Sequence, residues 1–136
     1  MKTNEIFETI LLLVIFSCLI SPYVDAICDP AEGTANNDGK VTDYFTSRTT
    51  SSPGDITFRL IEMPCGTPYL KLHVVPKSED LTMFDWYTIT DANLNRDVVI
   101  GTNVLAGTTF RLQAQVQDVN DFTCYEPTFR GQICYP

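Results

Sequence analysis

The chain has 136 residues, 44% of them hydrophobic, with 17 acidic against 9 basic side chains and a net charge of −8. That length sets one domain with enough apolar residues for a core. The acidity argues against nucleic acid and anionic lipid as partners: both need clustered Lys and Arg, and here the basic residues are scattered singly.

In chain order, residues 1–26 read as a secretory signal peptide. An apolar run from Ile10 to Ile20 is ended by Pro22, and Val24-Asp25-Ala26 supplies the cleavage pattern. Lys2 is accompanied by Glu5 and Glu8, so the usual positive bias is missing. A membrane-spanning helix needs roughly 20 apolar residues, and this run is shorter. Lipid modification of Cys18 fits poorly, because Phe16 stands where a small residue is required. The expectation is cleavage after Ala26, leaving a secreted, extracellular domain of residues 27–136 with no membrane attachment. Its eight basic and fourteen acidic residues give a net charge of −6, a balance that first of all favours solubility.

Four cysteines remain in that domain, Cys28, Cys65, Cys124 and Cys134. An even count in an oxidising setting predicts two disulfides, with three possible connectivities. The spacings lack a zinc pattern, and His73 is the only histidine. Cys124 and Cys134 flank Glu126-Pro127-Thr128, a plausible turn, so a hairpin-closing bridge is the first choice. Cys28 then pairs with Cys65, a closure expected to stabilise the fold by about 3–4 kcal/mol in the chain-entropy model.

Residues 28–40 read as an irregular lead-in, rich in turn formers such as Pro30, Gly33 and Asn36-Asn37-Asp38-Gly39. Short β-branched and aromatic runs follow between turn signals. They cover 41–46, 56–61, 69–75, 84–89, 98–100, 109–117 and 132–135. The clearest is 109–117, where Phe110, Leu112, Ala114 and Val116 alternate with Arg111, Gln113, Gln115 and Gln117. Leu70, Leu72 and Val74 alternate likewise with Lys71 and His73, and this period of two marks strands with one buried face. No helical stripe occurs in residues 27–136. About seven short strands predict an all-β fold, a small antiparallel β-sandwich stapled by disulfides.

Leu105-Ala106-Gly107-Thr108-Thr109-Phe110-Arg111-Leu112-Gln113-Ala114 resembles the penultimate-strand signature of fibronectin type III domains: a Leu, a Gly-Thr turn and an aromatic precede alternating apolar positions. The resemblance covers these ten residues. It implies a fibronectin-like or immunoglobulin-like sandwich. The chain departs from the family pattern in its core tryptophan, which would fall near Leu60 while Trp86 lies elsewhere, and in its cysteines. A fold of this kind carries no function by itself.

Catalytic signals are sparse. His73, on the polar side of a strand beside Lys71, reads as a surface strand histidine rather than a general base. The cysteines are expected to be oxidised in pairs, which removes them as nucleophiles. No G-x-S-x-G, H-E-x-x-H or phosphate-cradling glycine loop occurs, and nothing singles out a glycosidase pair among the acids. Asp91-Ala92-Asn93-Leu94-Asn95-Arg96-Asp97 places oxygen side chains at alternate positions, as a calcium loop does. Arg96 stands where such a loop wants Gly and Thr102 where it wants an acid, so an inter-strand loop is expected, with no metal and no cofactor.

Binding is the better prospect. Trp86 and Phe84 read as core fillers. Asp121, Phe122 and Tyr125 lie in a long loop, 118–126, which a disulfide can rigidify. They are the expected ligand-binding residues, with the 63–68 turn beside them. The function expected is a monomeric, secreted, non-catalytic binding module, an effector or inhibitor included, that contacts an extracellular protein or glycan. A small acid-based hydrolase and a matrix or coat component are the alternatives.

Overall fold

The computed structural model describes residues 25–34, 42–43, 47–77, 84–116, 124 and 127–136. The strands are β1 (Ile27–Thr34), β2 (Thr42–Asp43), β3 (Arg48–Thr49), β4 (Gly54–Glu62), β5 (Tyr69–Pro76), β6 (Tyr87–Thr90), β7 (Asp97–Val104), β8 (Thr109–Gln115) and β9 (Thr128–Tyr135). All pairings among them are antiparallel. Two sheets result: β1-β9-β4-β7, and β2-β8-β5-β6 with β3 also on β8. The antiparallel sandwich that the alternation predicts is therefore the sandwich observed.

The strand order refines the fibronectin comparison. In an immunoglobulin-like sandwich the last strand pairs with the one before it. Here β9 lies between β1 and β4, in the sheet facing β8. β2 and β3 both pair with β8, opposite 113–114 and 109–110, as two pieces of one edge strand. Counted so, the eight strands run 1-8-3-6 in one sheet and 2-7-4-5 in the other, the double Greek key of a jelly roll.

The core lies between the sheets, filled by the inward residues of each strand. From the first sheet come Ile56, Phe58, Leu60, Phe129 and Ile133; from the second come Leu70, Leu72, Val74, Phe110 and Leu112. Each is sealed from water, and burying a side chain of this kind contributes about 1.5–3 kcal/mol. Phe58 and Phe129 meet edge to face at 6.5 Å, as do Phe110 and Tyr135 at 5.5 Å.

Two expectations are corrected here. The lead-in is not irregular over its first part: residues 27–34 form β1, in register with β9 from Ile27↔Tyr135 to Thr34↔Thr128. β1 is an edge strand, the position at which a proline such as Pro30 is tolerated, since an edge need not donate on both sides. The disulfides are also paired differently, Cys28–Cys134 and Cys65–Cys124. β9 runs straight from Thr128 past Cys134. At about 3.3 Å per residue, Cys134 is carried roughly 20 Å from the strand's start and out of reach of Cys124. It arrives opposite Cys28 instead, with the two Cα atoms 4.1 Å apart.

A tie between the two sheets involves charge. Asp29 on β1 accepts hydrogen bonds from Arg48 Nε on β3 at 2.6 Å and from the Tyr135 hydroxyl at 2.9 Å. The Arg48 hydrogen bond foremost, then that of Tyr135, holds the Asp29 carboxyl below its usual pKa. Burial, reinforced by the Asp29 carboxylate, pushes the Tyr135 phenol up.

Candidate functional site

Asp121, Phe122 and Tyr125 lie outside the described residues. Their nearest described anchor is Cys124, buried and bonded to Cys65. That bond ties the β8–β9 connection to the turn between β4 and β5, the two segments expected to act together. Of the expected signal segment, only Asp25 and Ala26 are described, and both are exposed.

The described residues assemble a different surface, on the solvent side of the second sheet. In β5 the inward side chains are Leu70, Leu72, Val74 and Pro76, which leaves Tyr69, Lys71, His73 and Val75 facing out. In β8, Phe110, Leu112 and Ala114 point in, leaving Arg111, Gln113 and Gln115 outside. The ladder sets Lys71 opposite Gln115 and His73 opposite Gln113. On the other flank, Lys71 faces Thr88 and Leu72 faces Tyr87. One step beyond that last pair, Trp86 meets His73.

The two rings stack, with centroids 4.8 Å apart and planes at 28°. Trp86 is 38% exposed, whereas His73 beneath it is only 5% exposed. His73 Nδ1–H donates to Gln113 Oε1 at 3.3 Å. The indole is thus a flat shelf resting on an imidazole that β8 holds in place. Two strand positions away, the Lys71 ammonium lies 5.6 Å from the centre of the Tyr69 ring.

This corrects the reading of Trp86 as a core filler. Ile89 points into the core, so strand parity sends Tyr87 inward and Trp86 with Thr88 outward. Phe84 and Tyr87 do pack against the core. The alternation of 86–89 carries the signal, against the general tendency of large aromatics to be buried. His73 lies on the polar side of its strand, as the alternation indicates, but under the indole rather than in water.

Other candidates have their groups engaged elsewhere. In the 91–97 segment, Asp91–Asn93 forms a 3-10 turn, and Asn93 Oδ1 accepts from the Thr90 backbone N–H at 3.0 Å. The Asp97 carboxylate is gripped by the Arg59 guanidinium, with Nε–Oδ1 at 2.8 Å, and that pairing holds it below its usual pKa. The oxygens therefore do not converge, and no group of three or more metal-ligating side chains occurs among the described residues. An open cavity of about 330 Å³ sits at the end of the sandwich nearest Leu105, lined by Pro76, Phe84, Val104 and Thr108 among others. Among the described residues no helix is long and apolar enough to cross a membrane.

No protein-family model matches the chain, and no curated protein matches it. Among solved structures, it is similar to the infectious bursal disease virus VP2 subviral particle, with 11% identity, 85% of this chain and 35% of that chain covered, and a TM-score of 0.44. It is also similar to structures of the Gt strain of that virus, at 12% identity, 82% and 30% coverage and a TM-score of 0.38, and of the Gx strain, at 14% identity, 82% and 31% coverage and a TM-score of 0.35. The chain spans about a third of each.

Proposed function

We propose that this protein is a secreted, non-catalytic binding module that contacts an extracellular protein or glycan. The observation that carries the reading is the Trp86 shelf: a large aromatic held at the surface by a buried histidine and bordered by polar side chains. Exposed, pre-positioned tryptophan is the side chain most often found at the energetic centre of an interface. Its χ angles are restrained in advance by the stack, which lowers the ordering cost on binding. The two disulfides support the secreted part, since such bonds persist in oxidising compartments. Binding through this face is expected to need only one copy of the chain.

The test is a capture assay. The full chain is expressed in a secretory host, and the released form is weighed; a start at Ile27 is expected. It is then incubated with extracellular extracts and immobilised glycans beside Trp86→Ala. A partner held by the parent and lost by the variant supports the module and its site. A partner held equally by both removes this face from the reading, and no protein held at micromolar concentration together with no glycan held at millimolar concentration removes the module itself.

A further inference from the structure

We infer that the outer face of the second sheet is a carbohydrate site, in which the Trp86 indole stacks on the apolar face of a pyranose ring. The inference rests on the binding-module reading and adds the class of ligand. Three features of the face carry it.

The first is the exposed indole. One side of the indole lies on His73, and the residue is 38% exposed. Among the described residues, the other exposed large hydrophobics, Ile27, Ile61, Val99 and Leu105, belong to β1, β4, β7 and the turn after β7 rather than to this face. A protein-binding hot spot sits in a dry apolar patch that excludes water. Around Trp86 the described neighbours are instead Thr88, Gln113, Gln115 and Lys71, with half-buried Val75 beyond them. An exposed indole among amides, a hydroxyl and an ammonium, with the Tyr69 ring on the far side of Lys71, suits a ligand with C–H faces and a rim of hydroxyls.

The second feature is the segregation of charge. β1, β4, β7 and β9 carry Asp29, Glu32, Asp55, Glu62 and Asp97 with Arg59 and Arg130. β5, β6 and β8 carry no acid, only Lys71 and Arg111. Asp85, next to Trp86, and Asp43, opposite Gln113 on the edge strand, border the face. Among the described strands, β5, β6 and β8 are the part least repelled by the uronates and other anionic sugars common outside cells.

The third feature is rigidity. His73 is covered by the indole and anchored to Gln113, so the shelf spans two strands and is set before any ligand arrives. A repeating polymer can then bind one ring at a time without reorganising the protein.

Trp86 is the only tryptophan in the chain, so intrinsic fluorescence reports on this site alone. The full secreted protein is titrated with cellohexaose, laminarihexaose, chitohexaose and hexagalacturonate, and affinities are measured by calorimetry for parent, Trp86→Ala, Trp86→Phe and Ile61→Ser. Urea denaturation first establishes that each variant is folded. A saturable fluorescence change is expected with at least one sugar. Its affinity should fall about tenfold or more in Trp86→Ala, fall less in Trp86→Phe, and stay unchanged in Ile61→Ser on the opposite face. The inference is overturned if no sugar saturates at millimolar concentration, or if Trp86→Ala and Trp86→Phe both bind as the parent does. Trp86-dependent capture of a protein with no response to sugar would leave the module standing and remove the carbohydrate. Failure of both assays would remove both.

Discussion

Gly131 is the position at which the sandwich has least room. It lies at the middle of β9, between Leu60 of β4 and Ala31 of β1. A Cβ placed there would stand 2.5 Å from Phe58 Cζ and 2.6 Å from the Arg59 carbonyl oxygen. Carbon atoms in contact sit at about 3.5–4.0 Å, so the ring would have to withdraw by about an ångström. Phe58 is fully buried and already lies against Phe129, and the Arg59 oxygen belongs to the adjoining strand. Overpacking of this kind costs about 1–3 kcal/mol, and a clash with backbone as well as ring places Gly131→Ala at the top, about 3 kcal/mol. Gly101 on β7 is the control. Its Cβ would meet Ile56 Cβ at 3.5 Å and Val104 Cγ2 at 3.6 Å, ordinary contact. Gly101→Ala should be neutral or stabilise by up to about 1 kcal/mol, through the loss of freedom in the unfolded chain. Urea unfolding followed by tryptophan fluorescence decides. At an m-value of about 1–1.5 kcal/mol/M, Gly131→Ala should lower the midpoint by about 2–3 M and Gly101→Ala should not. Equal midpoints for the two variants, or a Gly131→Ala loss under about 0.5 kcal/mol, would show that the close approach of β9 to Phe58 is not as described.

Non-reducing peptide mapping should recover Cys28 with Cys134 and Cys65 with Cys124; a Cys124–Cys134 peptide would contradict the β1–β9 register. Replacing Cys65 and Cys124 together by Ser should cost about 4 kcal/mol in the chain-entropy model, read from the same urea curves, and a loss below about 1 kcal/mol would refute the closure. Phe58→Ala should cost about 3–5 kcal/mol, and a small loss by calorimetry would argue that the core collapses around it. Asp29 has its folded pKa depressed by Arg48 and Tyr135, so its contribution is present above the ordinary carboxylate pKa of about 3.9 and is lost as pH falls through the folded value. Asp29→Asn should therefore flatten the acid limb of stability against pH; an unchanged limb would mean that the tie across the sheets adds nothing.

Strands β4, β5 and β8 are legible because their apolar residues alternate and one face of each is buried. β1 is not, because Pro30 and Gly33 signal a break when read locally and only the edge position makes them harmless. β7 runs past Ile100 through Gly101 and Asn103, the latter at a left-handed φ of 52° with its N–H on the Asp55 carboxylate at 2.9 Å. Those two residues depress strand propensity, and a partner some 48 positions away restores it. The disulfide pairs required the strand order, which four cysteine positions do not contain. The Trp86 shelf was half legible: parity about Ile89 points it outward, but the histidine that supports it comes from another strand.

The Cys28–Cys134 bond has a mechanical meaning. It joins the neighbouring strands β1 and β9 near the start of one and the end of the other, so the 106-residue span between them is a covalent ring. Tension applied before Cys28 and after Cys134 loads the Ile27–Tyr135 pair and the Ser51 N–H bond to Pro136 O, which lie outside the ring, then passes through two sulfurs and spares the hydrogen bonds within it. One proteolytic cut within the ring opens it without releasing a fragment. A domain wired in this way keeps most of its folded body out of the load path and stays in one piece after a single cut.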